Sequence, residues 1–426
     1  MLTAMPAAAE DLGRLDLYAW AFTAFVIAQV LAIVLAGRLV DRIGPVLPLA
    51  AGVAVFMAGL IGAGFAGDMT WLLVFRAVQG FGAGSTNLAF MVVVAQAYGK
   101  HERAWLMSLL SLCWMLPSFL GPPIAAWITT RLGWQWVFFG VVPFLALVVL
   151  PGVRPLSALQ RQRQPQEGYE TNPVPVWAAF AAATGAALLQ VAGQHLGWQG
   201  IVVAVLGLAA LLAGLPRLMP AGFLRLRVGL PALMWTRGLA TGAFFAAESF
   251  LPLVLIRLHG FELGAAGLFI AIGSTGWTLG SLVQAYQGLR IRRDQIIEVG
   301  VAALLLGLVV MALGVWSAWH WSVLGFALAL AGLGMGLLVA STSLANMQLS
   351  EAHLIGRNTS SLQVAEGIGN SLVTGLAGSF FAALHLDSDA TVVFGPIYLL
   401  CVVVCVLALV ATGRIGSVRN ESAGVG

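Results

Sequence analysis

The chain has 426 residues, of which 60% are hydrophobic and only 9% are charged. Soluble domains carry roughly a quarter charged residues, so this composition excludes that class and predicts an all-α polytopic protein embedded in a lipid bilayer. A formal net charge of +4 would suggest a nucleic-acid partner in a soluble protein. Here the basic residues lie in the loops of one membrane face, so the charge reflects topology and we expect no nucleic-acid partner.

Apolar runs of about 20 residues, the length that crosses a bilayer as a helix, follow one another along the chain. They predict thirteen spans, at 17–38, 46–67, 71–97, 104–130, 134–151, 174–193, 197–216, 233–256, 264–286, 296–316, 320–346, 356–384 and 391–413.

The basic residues orient these spans. Of the 21 Lys and Arg residues, 17 fall on the face that holds the turn after the first run. Three (Arg14, Arg131 and Arg257) fall on the opposite face, and Arg76 lies inside a span. Cytoplasmic loops carry the excess of Lys and Arg, so the first face is predicted to be cytoplasmic. We therefore expect a multi-pass protein of the cell membrane with a cytoplasmic C-terminus.

The spans group into two bundles with an insertion between them. We predict an N-terminal bundle over 1–151, a cytoplasmic linker over 152–173, two inserted transmembrane helices over 174–216, a second cytoplasmic linker over 217–232, a C-terminal six-helix bundle over 233–413 and a cytoplasmic tail over 414–426. A basic turn at 286–298 occupies the place in the second bundle that 37–44 holds in the first. This agrees with parallel halves related by an axis along the membrane normal.

The segment 37–44 (Gly-Arg-Leu-Val-Asp-Arg-Ile-Gly) predicts a short charged turn between the first two runs. Gly37 and Gly44 would let the helix ends approach closely, and the Asp41 carboxylate would accept hydrogen bonds from a helix N-terminus. The segment resembles the loop signature of the major facilitator superfamily. That resemblance implies a cytoplasmic gate motif of Gly37, Asp41, Arg42 and Gly44, which would latch the two halves near 356–360.

Residues 3–13 are similar to the outer end of the family's first helix, and the apolar piece before Glu10 and Asp11 is too short to cross a bilayer. The expectation is that this first helix is largely missing from the chain.

Arg76 begins a second motif, Arg-Ala-Val-Gln-Gly-Phe-Gly-Ala-Gly. An arginine inside a span costs about 2.5–3.5 kcal/mol on insertion scales, so it should face water or a partner within the bundle. Gln79 and Asn87 continue a polar face at helical spacing and are predicted to line a substrate cavity. The motif resembles the family's fourth-helix signature, which implies that Arg76 takes part in proton coupling. A structural ion pair is the alternative.

Gly121 and Pro122 lie in a span with further prolines and small residues, a composition that favours a kinked, tightly packed helix. They resemble a degraded copy of the exporter signature of this superfamily, which favours export. The aromatic residues that follow Trp134 resemble the sixth helix of its fourteen-helix drug exporters, or form an interfacial aromatic belt.

Two acids, Glu248 and Glu366, are predicted about ten residues from the cytoplasmic ends of their helices, near mid-membrane. Thr359, Gln363, Glu366, Asn370 and Thr374 recur at helical steps, as expected for a wall that lines a water-filled path. Both acids are predicted proton carriers. For either acid the alternative is a permanent pair with an arginine such as Arg76. The predicted cavity walls share polar or aromatic side chains; besides Gln79 and Asn87 they are Trp114, Phe244, Phe245, Gln363 and Asn370, with Trp277 beside them.

Several chemistries are not expected. Lys100 is the only lysine and no P-loop glycine precedes it, so ATP is not the predicted energy source. The six histidines fall in turns or at span ends, and no cluster has metal-ligand spacing. We expect no enzyme activity, cofactor or metal, and a monomer whose partners are a small molecule, protons and lipid.

The resemblance as a whole is to the fourteen-helix drug–proton antiporter branch. It implies alternating access with proton-coupled export of a lipophilic or cationic molecule. Three alternatives stay open: a metabolite or siderophore transporter of the same fold, an importer, and an inactive truncated product that lacks the first helix.

Overall fold

A computed structural model describes residues 4–97, 120–121, 123–147, 175–193, 198–285, 291–351, 354–385 and 389–418. The regular elements of these residues are helices. In chain order they are α1 Met5–Asp11, α2 Trp20–Ile43, α3 Val46–Gly64, α4 Met69–Ala97, α5 over 123–132, α6 Gln135–Phe139 with a continuation over 141–147, α7 Val176–Ala192, α8 Trp198–Leu218, α9 Leu230–His259, α10 Leu263–Ala285, α11 Arg293–Trp316, α12 Trp321–Leu349, α13 Ile355–Leu384 and α14 Ala390–Thr412.

Hydropathy located these helices well. Where a predicted span is described in full, the two helix ends agree within five residues. Nine helices among the described residues are long and apolar enough to cross a membrane. Of the other four predicted spans, one is α4, one is the shorter α7, and two lie partly outside the described residues.

The segment 37–44 differs from the prediction. α2 continues through Ile43, so Gly37 to Ile43 form the last two turns of a helix and not a loop. The chain reverses at Gly44, whose φ of 88° is a left-handed conformation that glycine adopts without steric cost, and α3 begins at Val46. The polar residues of this segment are compatible with a helix end at the membrane surface, and no residue before Gly44 stops the helix.

The helices form two bundles and an inserted pair. α2, α3 and α4 pack together in the first bundle, and α9 to α14 pack together in the second. The inserted helices α7 and α8 pack on each other, and α7 also contacts α2 and α13. α2 and α13 form the main described contact between the bundles.

The bundles also meet at the end predicted to face outward. The Tyr18 hydroxyl donates a 2.7 Å hydrogen bond to the carbonyl oxygen of Ser249 on α9. The Tyr18 ring lies against Phe250 and Phe381, with ring centroids 5.7 and 6.2 Å away. Tyr18, Phe250 and Phe381 are fully buried, so this end is closed between the bundles.

Candidate functional site

One face of α9 carries two charged side chains together with a threonine and a phenylalanine. Arg237, Thr241, Phe244 and Glu248 follow one another at steps of four, three and four residues, which places them on the same side of the helix. All four are buried, with exposures of 9% or less. Apart from Arg257 and His259 in its last turn, the rest of α9 consists of apolar and small residues, so Arg237 and Glu248 are the charged groups in its interior that need partners.

Arg237 forms an ion pair with Glu366 of α13, in which the arginine side chain is 8% exposed and the glutamate side chain 25%. Its Nη2 lies 2.8 Å from Oε2 of Glu366, and its Nε donates to the same oxygen at 3.1 Å. Its Nη1 donates to the Thr342 hydroxyl at 2.7 Å and to the Val339 carbonyl at 2.6 Å, both on α12. A buried charge pair needs such additional hydrogen bonds to offset its desolvation. The arginine thereby ties three helices together.

Sequence reasoning missed Arg237. It was counted with the loop residues of the predicted cytoplasmic face, but it lies in α9, seven residues after Leu230, or about 10 Å along the axis. The signal was present, since Arg237 falls inside the predicted span 233–256. The partner of Glu366 is thus Arg237 of the same bundle, and not the Arg76 suggested as an alternative.

The predicted stripe of α13 surrounds this ion pair. Thr359, Gln363, Glu366 and Asn370 are half-buried on one face of the helix, and Thr374, the last member of the predicted stripe, is buried. Among the described residues, the carbonyl oxygens of Gln363 and Asn370 are buried and accept no hydrogen bond. A buried carbonyl without a donor is costly, so these two oxygens are acceptors available to water or to a ligand.

Glu248 differs from Glu366 in its surroundings. It forms no hydrogen bond or ion pair with any other residue that the structure describes. One turn before it lie Phe244 and Phe245, whose ring centroids are 5.7 and 6.2 Å from that of Trp277 on α10. The two predicted aromatic walls and Trp277 therefore come together beside an acid that has no partner in the described part of the chain.

The position of Glu248 along its helix differs in part from the prediction. It follows Leu230, the start of α9, by eighteen residues, or about 27 Å along the axis, and precedes His259 by eleven. Glu248 is therefore farther from the cytoplasmic end than the predicted ten residues, but it lies near the middle of α9, slightly towards the end predicted to face outward. The ion pair lies nearer the predicted cytoplasmic end.

Arg76 lies in the first bundle, where it joins α2 to α4. Its Nε donates to the Ala21 carbonyl at 2.8 Å, its Nη1 donates to Oε1 of Gln79 at 2.7 Å, and its guanidinium lies 4.6 Å from the Phe25 ring centroid. Gln79 also donates from Nε2 to the Gly59 carbonyl at 2.9 Å. The Gln79 amide thus accepts a hydrogen bond within α4 and donates one to α3. Gln79 is fully buried, whereas Asn87 is half-buried.

The other predicted site residues are described only in part. Trp114 and Pro122 lie outside the described residues, as do the side chains of Asp41 and Arg42. Gly121 is half-buried, and Gly37 packs near Leu88 of α4. The predicted gate between 37–44 and the start of α13 therefore stays a prediction.

Comparison with known proteins identifies relatives. The family model described as Major Facilitator Superfamily matches residues 1–374. Multidrug transporter protein MdtP of Bacillus subtilis (strain 168) is 33% identical over 159 residues, which are 37% of this chain and 29% of that protein. The match thus spans less than a third of that relative's length. Multidrug resistance protein B homolog of Mycobacterium tuberculosis (strain ATCC 25618 / H37Rv) is 25% identical over 379 residues, covering 84% of this chain and 68% of that protein.

Solved structures share the architecture. A crystal structure of a D-xylose-proton symporter aligns with a TM-score of 0.64 and 14% identity, covering 96% of this chain and 89% of that one. A peptide transporter POT in complex with sulfate aligns with a TM-score of 0.64 and 16% identity, covering 94% and 87%. At these identities the likeness concerns the fold alone.

Proposed function

This chain belongs to the major facilitator superfamily, and on that premise we propose that it exports a lipophilic or cationic small molecule in exchange for protons by alternating access. As a multi-pass membrane transporter it is not an enzyme. The names of two relatives, a multidrug transporter and a multidrug resistance protein, support a drug-like cargo. The setting proposed is the cell membrane, with the C-terminus cytoplasmic and the chain acting as a monomer.

One observation carries the proposal: Glu248 has no partner among the described residues and lies one turn from three clustered aromatic rings. A carboxylate beside aromatic faces attracts an organic cation by charge and by cation–π interaction, which is worth about 2 kcal/mol when desolvated. An ionisable residue inside a span is by default a candidate for ion or proton transfer. Glu248 combines both properties.

The exchange follows from charge balance at that carboxylate. When the site is open to the cytoplasm, ionised Glu248 binds the cation. When it is open outward, a proton from the outside binds to the carboxylate, neutralises it and releases the cation. The protonated site then returns, and the proton leaves into the cytoplasm. Glu248 thus carries either the cation or a proton each time the site changes its access, and never both. Each proton that enters is therefore exchanged for one cation that leaves, so the proton gradient drives export of the cargo.

Glu366 takes a second role in this scheme. Arg237 neutralises it in the present arrangement, so a proton on Glu366 would weaken the ion pair that holds α9, α12 and α13 together. α13 also contacts α2 of the first bundle. Protonation at Glu366 would therefore loosen the helix that joins the two halves, which links the proton to the change of access.

The proposal is tested by efflux of a lipophilic cationic dye from energised cells that express this chain. Wild type is expected to lower dye accumulation, and collapse of the proton gradient should abolish the difference. Glu248→Gln should lose gradient-driven efflux, because its neutral amide cannot alternate between proton and cation. Glu366→Gln should slow efflux.

A matched control is Glu262→Gln, the same change at an exposed position in the turn after α9. It should export as wild type does. Gradient-driven efflux that survives in Glu248→Gln at equal membrane expression would refute the assignment of Glu248. Dye uptake in place of efflux would refute export and favour an importer.

A further inference from the structure

A cavity of about 580 Å³ lies between the inserted helices and α13, away from the site described above. The lining includes Gln190 of α7, the residues Ile201, Ala204 and Leu208 of α8, and Ser371 and Leu372 of α13. The lining residues of α13 fall on the face opposite the stripe of Gln363, Glu366 and Asn370. The cavity is therefore separate from the proposed transport path, and its volume is that of a small-molecule site, about 300–1,000 Å³.

Gln190 is the unusual residue of this cavity. Its side chain is only 4% exposed, and in the described part of the chain neither Nε2 nor Oε1 has a hydrogen-bond partner. The one other polar side chain in the lining, Ser371, donates its hydroxyl to the Gly367 carbonyl at 2.8 Å. A buried amide with both ends unsatisfied costs about 1–3 kcal/mol, so a group that satisfies it stabilises the protein.

We propose that this cavity binds a neutral single-chain lipid of the surrounding bilayer, with its hydroxyl or amide group hydrogen-bonded to Gln190. The amide of Gln190 offers both a donor and an acceptor, and a hydroxyl or amide matches both. No charged side chain is among the described residues that line the cavity, so these residues offer no counter-charge to an ionised head group. Lining residues of α8 such as Ile201 and Leu208 are 67% and 49% exposed, so the cavity opens on the surface that the bilayer covers.

The location gives the lipid an influence on the transporter. The cavity lies near the C-terminal end of α7, the end predicted to face outward, so it is reached from the outer leaflet. A bound lipid would pack against one face of α13, and the opposite face of α13 carries Glu366. Occupancy of the cavity can therefore affect the position of the helix that carries Glu366. The binding itself depends on neither cargo nor proton gradient, so it is measured independently of the proposed export.

The test uses the full chain in phospholipid nanodiscs with a diazirine-bearing hexadecanol as the probe. After illumination, mass spectrometry of peptides should place the label on α7, α8 and α13 beside the cavity. Unlabelled hexadecanol should compete, and hexadecane, which lacks the hydroxyl, should compete about five- to tenfold less well because it cannot bond to Gln190. Gln190→Leu should weaken probe binding by a similar factor.

Ala204→Phe places a ring into the cavity and should abolish the labelling there. Val202→Phe is its matched control, because Val202 lies on the same helix, is 48% exposed and does not line the cavity. Labelling spread evenly over the bilayer-facing helices, or unchanged in Ala204→Phe with the fold intact, would overturn the site. Equal competition by hexadecane would overturn the role of Gln190. Displacement of the probe by a cationic dye, equally in wild type and Gln190→Leu, would assign the cavity to cargo instead of lipid.

Discussion

Gly238 of α9 and Gly369 of α13 touch backbone to backbone, beside the Arg237–Glu366 ion pair. A Cβ atom on Gly369 would lie 2.9 Å from the Cα of Gly238 and closer still to its carbonyl. A Cβ atom on Gly238 would in turn lie 2.6 Å from the Ala365 carbonyl oxygen. Small residues permit such close crossings of membrane helices. The length of the Arg237–Glu366 contact thus depends on two residues that have no side chain.

Gly369→Ala is expected to force α9 and α13 apart. Its cost should be about 1–3 kcal/mol, as for overpacking elsewhere, because the methyl group meets backbone and not a flexible side chain. Thermal unfolding in detergent measures the change. Gly395→Ala on α14 is the control, since its nearest neighbour would be a Trp316 atom at 3.8 Å, an ordinary contact. Equal stability of both variants would contradict the close crossing.

A double-mutant cycle on Arg237 and Glu366 measures their coupling. Arg237→Leu or Glu366→Gln alone should cost about 1.5–3 kcal/mol, because each removes the charge-assisted hydrogen bonds of a pair whose arginine is buried and whose glutamate is 25% exposed. The double variant should cost clearly less than the sum of the two, as judged from unfolding in denaturant.

The exposed pair Arg292–Asp294 provides the comparison for that cycle. Its atoms are closer, at 2.6 Å, but the Arg292 side chain is 49% exposed. Solvent screens such a pair, so its coupling should stay below about 1 kcal/mol. Additive costs at Arg237 and Glu366 would show that the buried pair contributes no coupling.

Tyr18→Phe removes the hydrogen bond that joins the bundles at the predicted outer end. A lost neutral hydrogen bond of about 1 kcal/mol should shift the closed-to-open equilibrium about fivefold towards the open form. Spin labels at Gly67 and Trp319, in turns of the two bundles at that end, would report a larger population of long distances.

Tyr398→Phe is the matched control for Tyr18. Its hydroxyl donates to the Ala247 carbonyl at 3.2 Å, a bond from α14 to α9 within one bundle. The same chemical change there should leave the distance distribution as in wild type. A shift of equal size in both variants would mean that Tyr18 acts through stability alone.

The positions of the helices could be predicted from the sequence, because a helix that crosses a bilayer needs an apolar run of about 20 residues. Such a run is a local property of the chain. The polar stripe around Glu366 could also be predicted, since helical spacing alone places its members on one face. The partner of Glu366 could not be predicted, because Arg237 is 129 residues away in the sequence and only the packing of the helices brings the two together.

Other errors had local causes. Charges and a glycine at 37–43 suggested a turn, although a helix continues through such residues until Gly44 takes a positive φ. Glu248 was placed about ten residues from the cytoplasmic end of its helix, whereas it follows Leu230, where α9 begins, by eighteen. Gln190 was not singled out at all, since a lone amide in an apolar span reveals nothing until its neighbours are known.

Phe245→Leu separates charge recognition from apolar contact at the proposed cargo site. Phe245 is half-buried, and its ring lies 6.2 Å from that of Trp277, so it is placed to offer a face to cargo beside Glu248. Leucine keeps the site apolar but removes the quadrupole that attracts cations. We expect about a threefold to fivefold weaker binding of a lipophilic cation, corresponding to about 1 kcal/mol of cation–π interaction.

An uncharged dye of the same shape is the internal control, and its binding should change little. If both dyes weaken equally, Phe245 contributes packing only, and the carboxylate of Glu248 alone must account for any preference for cations.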